Sequence, residues 1–232
     1  MHIGVDGCRG GWYAVRRDPE ARGLLAAVYP TFEALLSAAS RGAVVAVDIP
    51  IGLQSVGSRP CDLLARAFLA PARSSSVFPA PLRNVLEAES HADASNRRRE
   101  IEGKGVSIQA YAITKKVKEV DGALLRHDKS MALVHEVHPE VSFAAMNGDV
   151  PLHSKKKRAA GREERAGLLA THFGDWPMRL VSTRPRNTVA ADDVLDAFAA
   201  LWSAERVASG HARSLPPVPD RDEMGLPMAI FY

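Results

Sequence analysis

Apolar positions recur along this chain in two rhythms, and the switches between them mark its elements. Short β-prone stretches at 2–6, 12–16 and 24–29, separated by glycine-rich or polar turns, predict an antiparallel meander. Thr31 is a natural cap for a helix opening with TFEALL (31–36). The unbroken apolar run GAVVAVDIPIGL (42–53) has the pattern of a central strand buried on both faces. Residues 59–70 read as helix and SSSVFPAPLR (74–83) as a proline-punctuated loop. A helical insert is expected over 84–128, broken by a loop or hinge at NRRREIEGKGVS (96–107). MALVHEVHPEVSF (131–143) predicts another strand, a helix runs to about 173, and LVS (180–182) reads as a short strand or a connector. TVAADDVLDAFAALWSAERVAS (188–209) carries the strongest amphipathic helix, with Val194, Leu195, Phe198, Leu201 and Trp202 on its apolar side. A proline-rich tail (216–219) and MAIFY (228–232) follow. With no internal repeat and no long linker, one domain over 1–232 is expected.

Composition narrows the class without naming a partner. The chain has 232 residues, 46% of them hydrophobic and 25% charged, which is ordinary globular usage. A net charge of +3 permits a polyanionic partner but does not demand one. Cys8 and Cys61 lack CxxC spacing, so two reduced thiols are expected rather than a disulfide scaffold or a structural zinc site. No apolar run approaches a membrane span and no signal pattern opens the chain, so a cytoplasmic protein without membrane contact is expected.

The carboxylates change the picture most. Asp6, Asp48 and Glu136 stand at or near the ends of predicted strands, and Asp192, Asp193 and Asp196 open the late helix. At 3.6 residues per turn Asp193 and Asp196 share a face and Asp192 points elsewhere. Carboxylates that converge repel one another, and a divalent cation such as Mg²⁺ or Mn²⁺ is the simplest agent that neutralises them. Gly7, Gly10 and Gly11 would then clear space beside Asp6 for a bulky anionic substrate. Taken singly, each acid has an ordinary explanation: Asp6 and Asp48 in turns, Asp192 or Asp193 as a helix cap.

The ordered set GVDGCRGGW, VDIPIGL, RPCDLLAR, SSVFPAP, EVHPEVSF, SKKK with a following GR, and DDVLDAFAALW resembles the domain of unknown function 429 family, from Met1 to about Ala208. That family is regarded as predicted nucleases of the ribonuclease H-like fold. The resemblance implies an α/β protein whose mixed five-stranded sheet has three antiparallel strands, then two parallel ones, with helices on both faces. It also implies that Asp6 and Asp48 stand for the acids of the first and fourth strands, and Asp193 and Asp196 for those of the last helix. Glu136, with His138 and Glu140 nearby, lies outside that shared acid set and joins it here as a further catalytic candidate.

A divalent-metal-dependent nuclease follows as the expected function, with Asp6, Asp48, Glu136, Asp193 and Asp196 as catalytic candidates. Two Mg²⁺ or Mn²⁺ ions about 4 Å apart, held by Asp6, Asp48 and Asp193, would position a water for in-line attack on a phosphodiester. His138 shares a strand face with Glu136 and is favoured over His135 as a proton carrier. Arg9, Lys155, Lys156 and Arg162 are the candidate contacts to nucleic acid, DNA or RNA. Arg59, Arg66, Arg73, Arg97, Arg98, Arg99 and Lys104 are further basic groups in reach of a phosphate chain, and Phe78 is a candidate stacking residue. Two other classes are compatible with the same residues: an ATP-dependent phosphotransferase of the actin-like sheet order, and a non-catalytic nucleic-acid-binding module. A dimer is compatible with the sequence, which carries no signal for oligomeric state.

Overall fold

The computed structural model describes residues 1–17, 23–126 and 132–232. Residues 127–128 of the expected insert and Met131 of the expected strand fall outside them. Three strands open the chain, β1 (His2–Cys8), β2 (Gly11–Arg17) and β3 (Leu24–Tyr29), each antiparallel to the next. Helix α1 (Phe32–Ala38), capped by the Thr31 hydroxyl, leads to β4 (Ala43–Val47). The insert between β4 and β5 holds α2 (Pro60–Phe68), two 3-10 turns (Ser74–Ser76 and Arg83–Glu87), α3 (His91–Glu102) and α4 (Ile108–Arg126). Then come β5 (Ala132–Glu136), α5 (Pro139–Met146), α6 (Ala159–Phe173), α7 (Trp176–Thr183), α8 (Ala191–Ala208) and a terminal hairpin, β6 (Ser214–Arg221) with β7 (Pro227–Phe231). The main sheet has the order β3-β2-β1-β4-β5, with β4 and β5 parallel to β1, which is the mixed five-stranded arrangement the resemblance implies.

Side-chain alternation on β1 assigns its two faces. Ile3 and Val5 point into a core shared with Trp12, Phe32, Val45 and Val117, beneath α1 and α4. Gly4, Asp6 and Cys8 point the other way, where Val194, Phe198 and Leu201 of α8 join Phe143, Leu169 and Phe173 in a second core. Gly4 is the position that lets α8 lie against the sheet. A Cβ there would stand 2.0 Å from the Leu201 nitrogen and 2.2 Å from the Ala197 oxygen, both backbone atoms that cannot turn away.

Four expectations are corrected. The strand expected over 131–143 ends at Glu136, because Pro139 at the first turn of α5 starts a helix instead. Residues 96–102 are not a hinge: α3 runs through them to Gly103, whose φ of 69° closes the helix. Residues 180–182 lie inside α7, not in a strand. The proline-rich tail is β6, paired with β7 across a bulge, and it packs beside α2. Cys8 and Cys61 are free thiols, both buried. Among the described residues no helix is long and apolar enough to cross a membrane.

Candidate active site

Two contacts bring the predicted acids of β1, β4 and α8 to one end of the sheet, near enough to feel one another's charge although their oxygens do not all lie within 4.8 Å of one another. Asp48 follows β4, and its backbone N–H donates to the Val5 carbonyl (3.0 Å), so the ends of β1 and β4 advance in step. The close approach at Gly4 then lays the first turns of α8 over the same end. Asp6 is 9% exposed, Asp196 is 1% exposed, and Asp48 is half-buried. Among the described residues no donor reaches the carboxylate of Asp6 or Asp48. Burial, followed by the charges of Asp196 and Asp48, pushes the Asp6 carboxyl well above the ordinary carboxylate range. Burial likewise raises Asp48, although His138 and Lys156 pull against it. Asp196 is pushed up to about 6, again chiefly by burial, with Lys156 opposing.

Lys156 is the cation of this cluster. Its ammonium donates to Asp196 Oδ2, and it also feels Asp6 and Asp48; burial works against its charge, but the acids outweigh that and raise its pKa. Asp193 does different work. Its Oδ2 accepts from the Ala190 N–H at 2.8 Å and so caps its own helix, satisfying one of the orphan donors of the first turn. It remains near enough to add repulsion at Asp6. The carboxylate that α8 turns into the cluster is therefore Asp196, one turn further on.

Glu136 stands apart from these acids. Arg59 donates to both of its oxygens (2.7 Å each), to both oxygens of Asp62 (2.5 and 3.2 Å) and to the carbonyls of Ile51 and Gly52. The Ile51 N–H adds a further bond to Glu136 at 2.7 Å. All three side chains are buried, Arg59 at 2%, Asp62 at 3% and Glu136 at 5% exposure. Among the described residues, Cys61, Asp62 and Glu136 form the one group of three with ligand atoms all within 4.8 Å of one another. That spacing suits a metal, but the guanidinium already supplies the positive charge and uses every carboxylate oxygen there. A second column repeats the device: Glu140 receives Arg165 through both oxygens (2.7 and 2.8 Å) and Arg73 at 3.0 Å, and despite burial the two arginines hold its carboxyl below the ordinary range.

The glycines after Asp6 serve protein contacts rather than substrate clearance. A Cβ on Gly7 would meet the Lys116 side chain at 3.1 Å, one on Gly10 would meet Thr188 at 2.9 Å, and Gly11, at φ 120°, lies against the Tyr29 carbonyl. Lys116 itself reaches across from α4 to the Gly11 carbonyl at 2.5 Å and sits 4.2 Å over the Trp12 ring.

The basic candidates divide. Arg9 is exposed in the β1–β2 turn and Lys155 is exposed beside Lys156. Arg162 is half-buried on α6, bonded to the Lys157 carbonyl at 2.8 Å, and faces a separate hollow with Met178 and Leu195. Arg59 and Arg73 are committed to Glu136 and Glu140, and Arg66 donates to the Val77 carbonyl. Arg97 and Arg98 pair with Asp93 and Glu102 one turn away along α3. A cavity of about 590 Å³ adjoins the acids and includes Asp48, His138 and Lys156 in its wall, together with Phe78. His138 forms part of its wall with Nε2 3.4 Å from the Ser76 carbonyl and Nδ1 buried without a partner, whereas His135 packs edge-on against Phe231 at 4.7 Å and has a buried, unpartnered Nε2. Sequence reasoning assigned no role to Gly4 or Arg165, and Arg59, expected at a phosphate, is instead committed to Glu136 and Asp62. A glycine in the middle of an apolar strand was the available signal for the first, and nothing local marks the arginines.

Comparison with known proteins places the chain at family level. The family model described as a protein of unknown function (DUF429) matches residues 4–221, so the chain belongs to that family. No curated protein and no solved structure matches it.

Proposed function

We propose that this member of the DUF429 family is a divalent-metal-dependent nuclease that hydrolyses phosphodiester bonds in nucleic acid, with Asp6, Asp48 and Asp196 as its metal ligands. The observation that carries the reading is the pair of carboxylates Asp6 and Asp48, each one residue past the last β1–β4 pair, which feel each other's charge and have no donor from the described residues. Buried structural acids elsewhere in this molecule are saturated with arginine or backbone donors; these two are not. Their donor set is all carboxylate oxygen, which fits Mg²⁺ or Mn²⁺ and not a thiophilic ion.

Bound there, such an ion would supply Lewis-acid polarisation of a phosphoryl oxygen and a water acidic enough to attack it. The protein's part is then positional. Asp6 and Asp48 are carried on hydrogen-bonded strand ends, and Asp196 on a helix anchored by backbone contact at Gly4, so the three cannot drift independently. Lys156 holds one positive charge among them before any ion arrives and is placed to meet a phosphate oxygen once Asp196 turns to a metal. Lys155 and Arg9 offer exposed charge for flanking phosphates. Glu136 and Asp193 stay outside the proposed ligand set, since their oxygens serve Arg59 with Ile51 and the α8 cap.

The test is cleavage of labelled single-stranded, duplex and branched DNA and RNA with Mg²⁺ or Mn²⁺, compared with Asp6→Asn. Loss of metal-dependent cleavage by at least about a hundredfold, with the fold retained, is the expected result for a metal-ligand aspartate. Cleavage that survives this substitution overturns the reading.

A further inference from the structure

The cavity beside the acids has a shape and lining the hydrolytic reading does not use. Its volume of about 590 Å³ falls within the roughly 300–1,000 Å³ of small-molecule pockets. It shares Asp48 and Lys156 with the acid cluster, so any occupant lies directly beside the proposed scissile phosphate. Pro50, Val77, Phe78 and Ile113 give it apolar walls, and Phe78 is 51% exposed although it is a large aromatic on a short proline-flanked loop. One polar group with no partner of its own lines the same space, the exposed amide of Gln109, while His138 forms part of the wall with its Nε2 3.4 Å from the Ser76 carbonyl. Lys155 and Lys157, both exposed, stand on the wall nearest the acids.

An apolar slot with a few hydrogen-bonding groups, opening onto cations and carboxylates, matches the parts of one nucleotide in order: a flat base, then its phosphate. We propose that this cavity takes the base of an unpaired nucleotide, so that the protein cuts beside a strand end, loop or mismatch rather than within uninterrupted duplex. The inference rests on the nuclease reading and names its substrate class. A base stacked in duplex cannot enter a recessed cleft without first leaving its neighbours, which is easiest where it has no partner. Phe78 then supplies the face on which it stacks, and Gln109 meets its edge.

The probe is an oligonucleotide with a single 2-aminopurine, in deoxy and ribo versions, each single-stranded and as blunt duplex, titrated in Ca²⁺ with fluorescence and anisotropy recorded. Single strands should bind at least about tenfold more tightly than duplex, with a fluorescence change at the 2-aminopurine. Phe78→Ala, which removes a half-exposed ring and leaves the cores intact, should weaken single-strand binding about tenfold, and Ile113→Trp, which narrows the slot, should do likewise. Equal affinity for duplex and single strand, or variants that bind like wild type, overturns the inference, as does absence of binding to every probe. Metal-dependent cleavage that persists alongside either negative result leaves the nuclease reading standing. The expected binding pattern without any cleavage in Mg²⁺ or Mn²⁺ sinks the nuclease reading and keeps the nucleotide slot.

Discussion

Replacing Lys156 by methionine tests the acid cluster without touching a proposed ligand. The substitution keeps most of the aliphatic stem and removes the one positive charge that Asp6, Asp48 and Asp196 share. Breaking a buried ion pair from one side leaves an uncompensated charge and destabilises by about 3–5 kcal/mol. The Lys156 side chain is 36% exposed while that of Asp196 is 2% exposed, so solvent screening puts the effect at the lower end, about 3 kcal/mol. For a chain of this size that is a fall in Tm of about 6–12 °C near neutral pH. The pH dependence carries the sign. Asp196 has its ordinary value of 3.8 when unfolded and about 6 when folded, so its ionisation costs stability, and that stability returns as pH falls through about 6. In acid the native carboxyl is protonated in both proteins and the pair no longer exists. Thermal melts at about pH 7.5 and about pH 5 should therefore show a deficit in Lys156→Met that shrinks in acid. Saturating Mn²⁺ at the higher pH should raise the Tm of the variant more than that of wild type, because no ammonium competes for Asp196. Equal melting of the two proteins at neutral pH, or a deficit of the same size at both, would refute the assignment of Lys156 as the resident cation.

Two further substitutions test how the site is held. Gly4→Ala drives a methyl into the α8 backbone and should lower Tm by several degrees, since overpacking typically costs about 1–3 kcal/mol and backbone cannot move aside as a side chain does; an unchanged Tm would mean that α8 does not rest on β1 there. Glu140→Gln leaves Arg165, which is fully buried, without its charged partner and should cost about 3–5 kcal/mol in urea denaturation near neutral pH. Because Arg165 and Arg73 hold Glu140 below its ordinary 4.5 despite burial, its contribution is present above that value and is lost as pH falls through the lowered one, so the gap between variant and wild type should close in acid. A gap independent of pH would show that packing, not charge, is what the substitution removed.

Much of the architecture was legible in the chain itself. Alternation marked β1, β2 and β3, the apolar run at 43–47 marked the buried β4, and the spacing of Val194, Leu195, Phe198 and Leu201 marked α8. Such patterns are local: a residue's face is decided by neighbours two to four positions away, and they can be read without knowing what packs against them. Asp6 and Asp48 as a pair were visible for the same reason, each following an apolar run, although β1 continues past Asp6 to Cys8. The mistaken readings share a cause of a different kind. Residues 137–143 look strand-like by composition, but Pro139 favours a helix start, and a β-prone 180–182 was absorbed by packing of α7 against α6 and α8.

What the tertiary structure alone decided is which charges meet. Glu136 and Asp196 are both buried acids on apolar elements, and no feature near either says that one is neutralised by Arg59 from 77 residues away while the other lies beside Lys156, 40 residues back. Asp193 and Asp196 share a helix face, and only the docking of α8 on Gly4 determines that Asp196 enters the cluster while Asp193 is drawn to the cap. The physical reason is that hydrophobic burial follows the periodicity of the backbone and is written along the chain, whereas the state of a buried charge depends on distance through space to its partner, which exists only once the chain has folded.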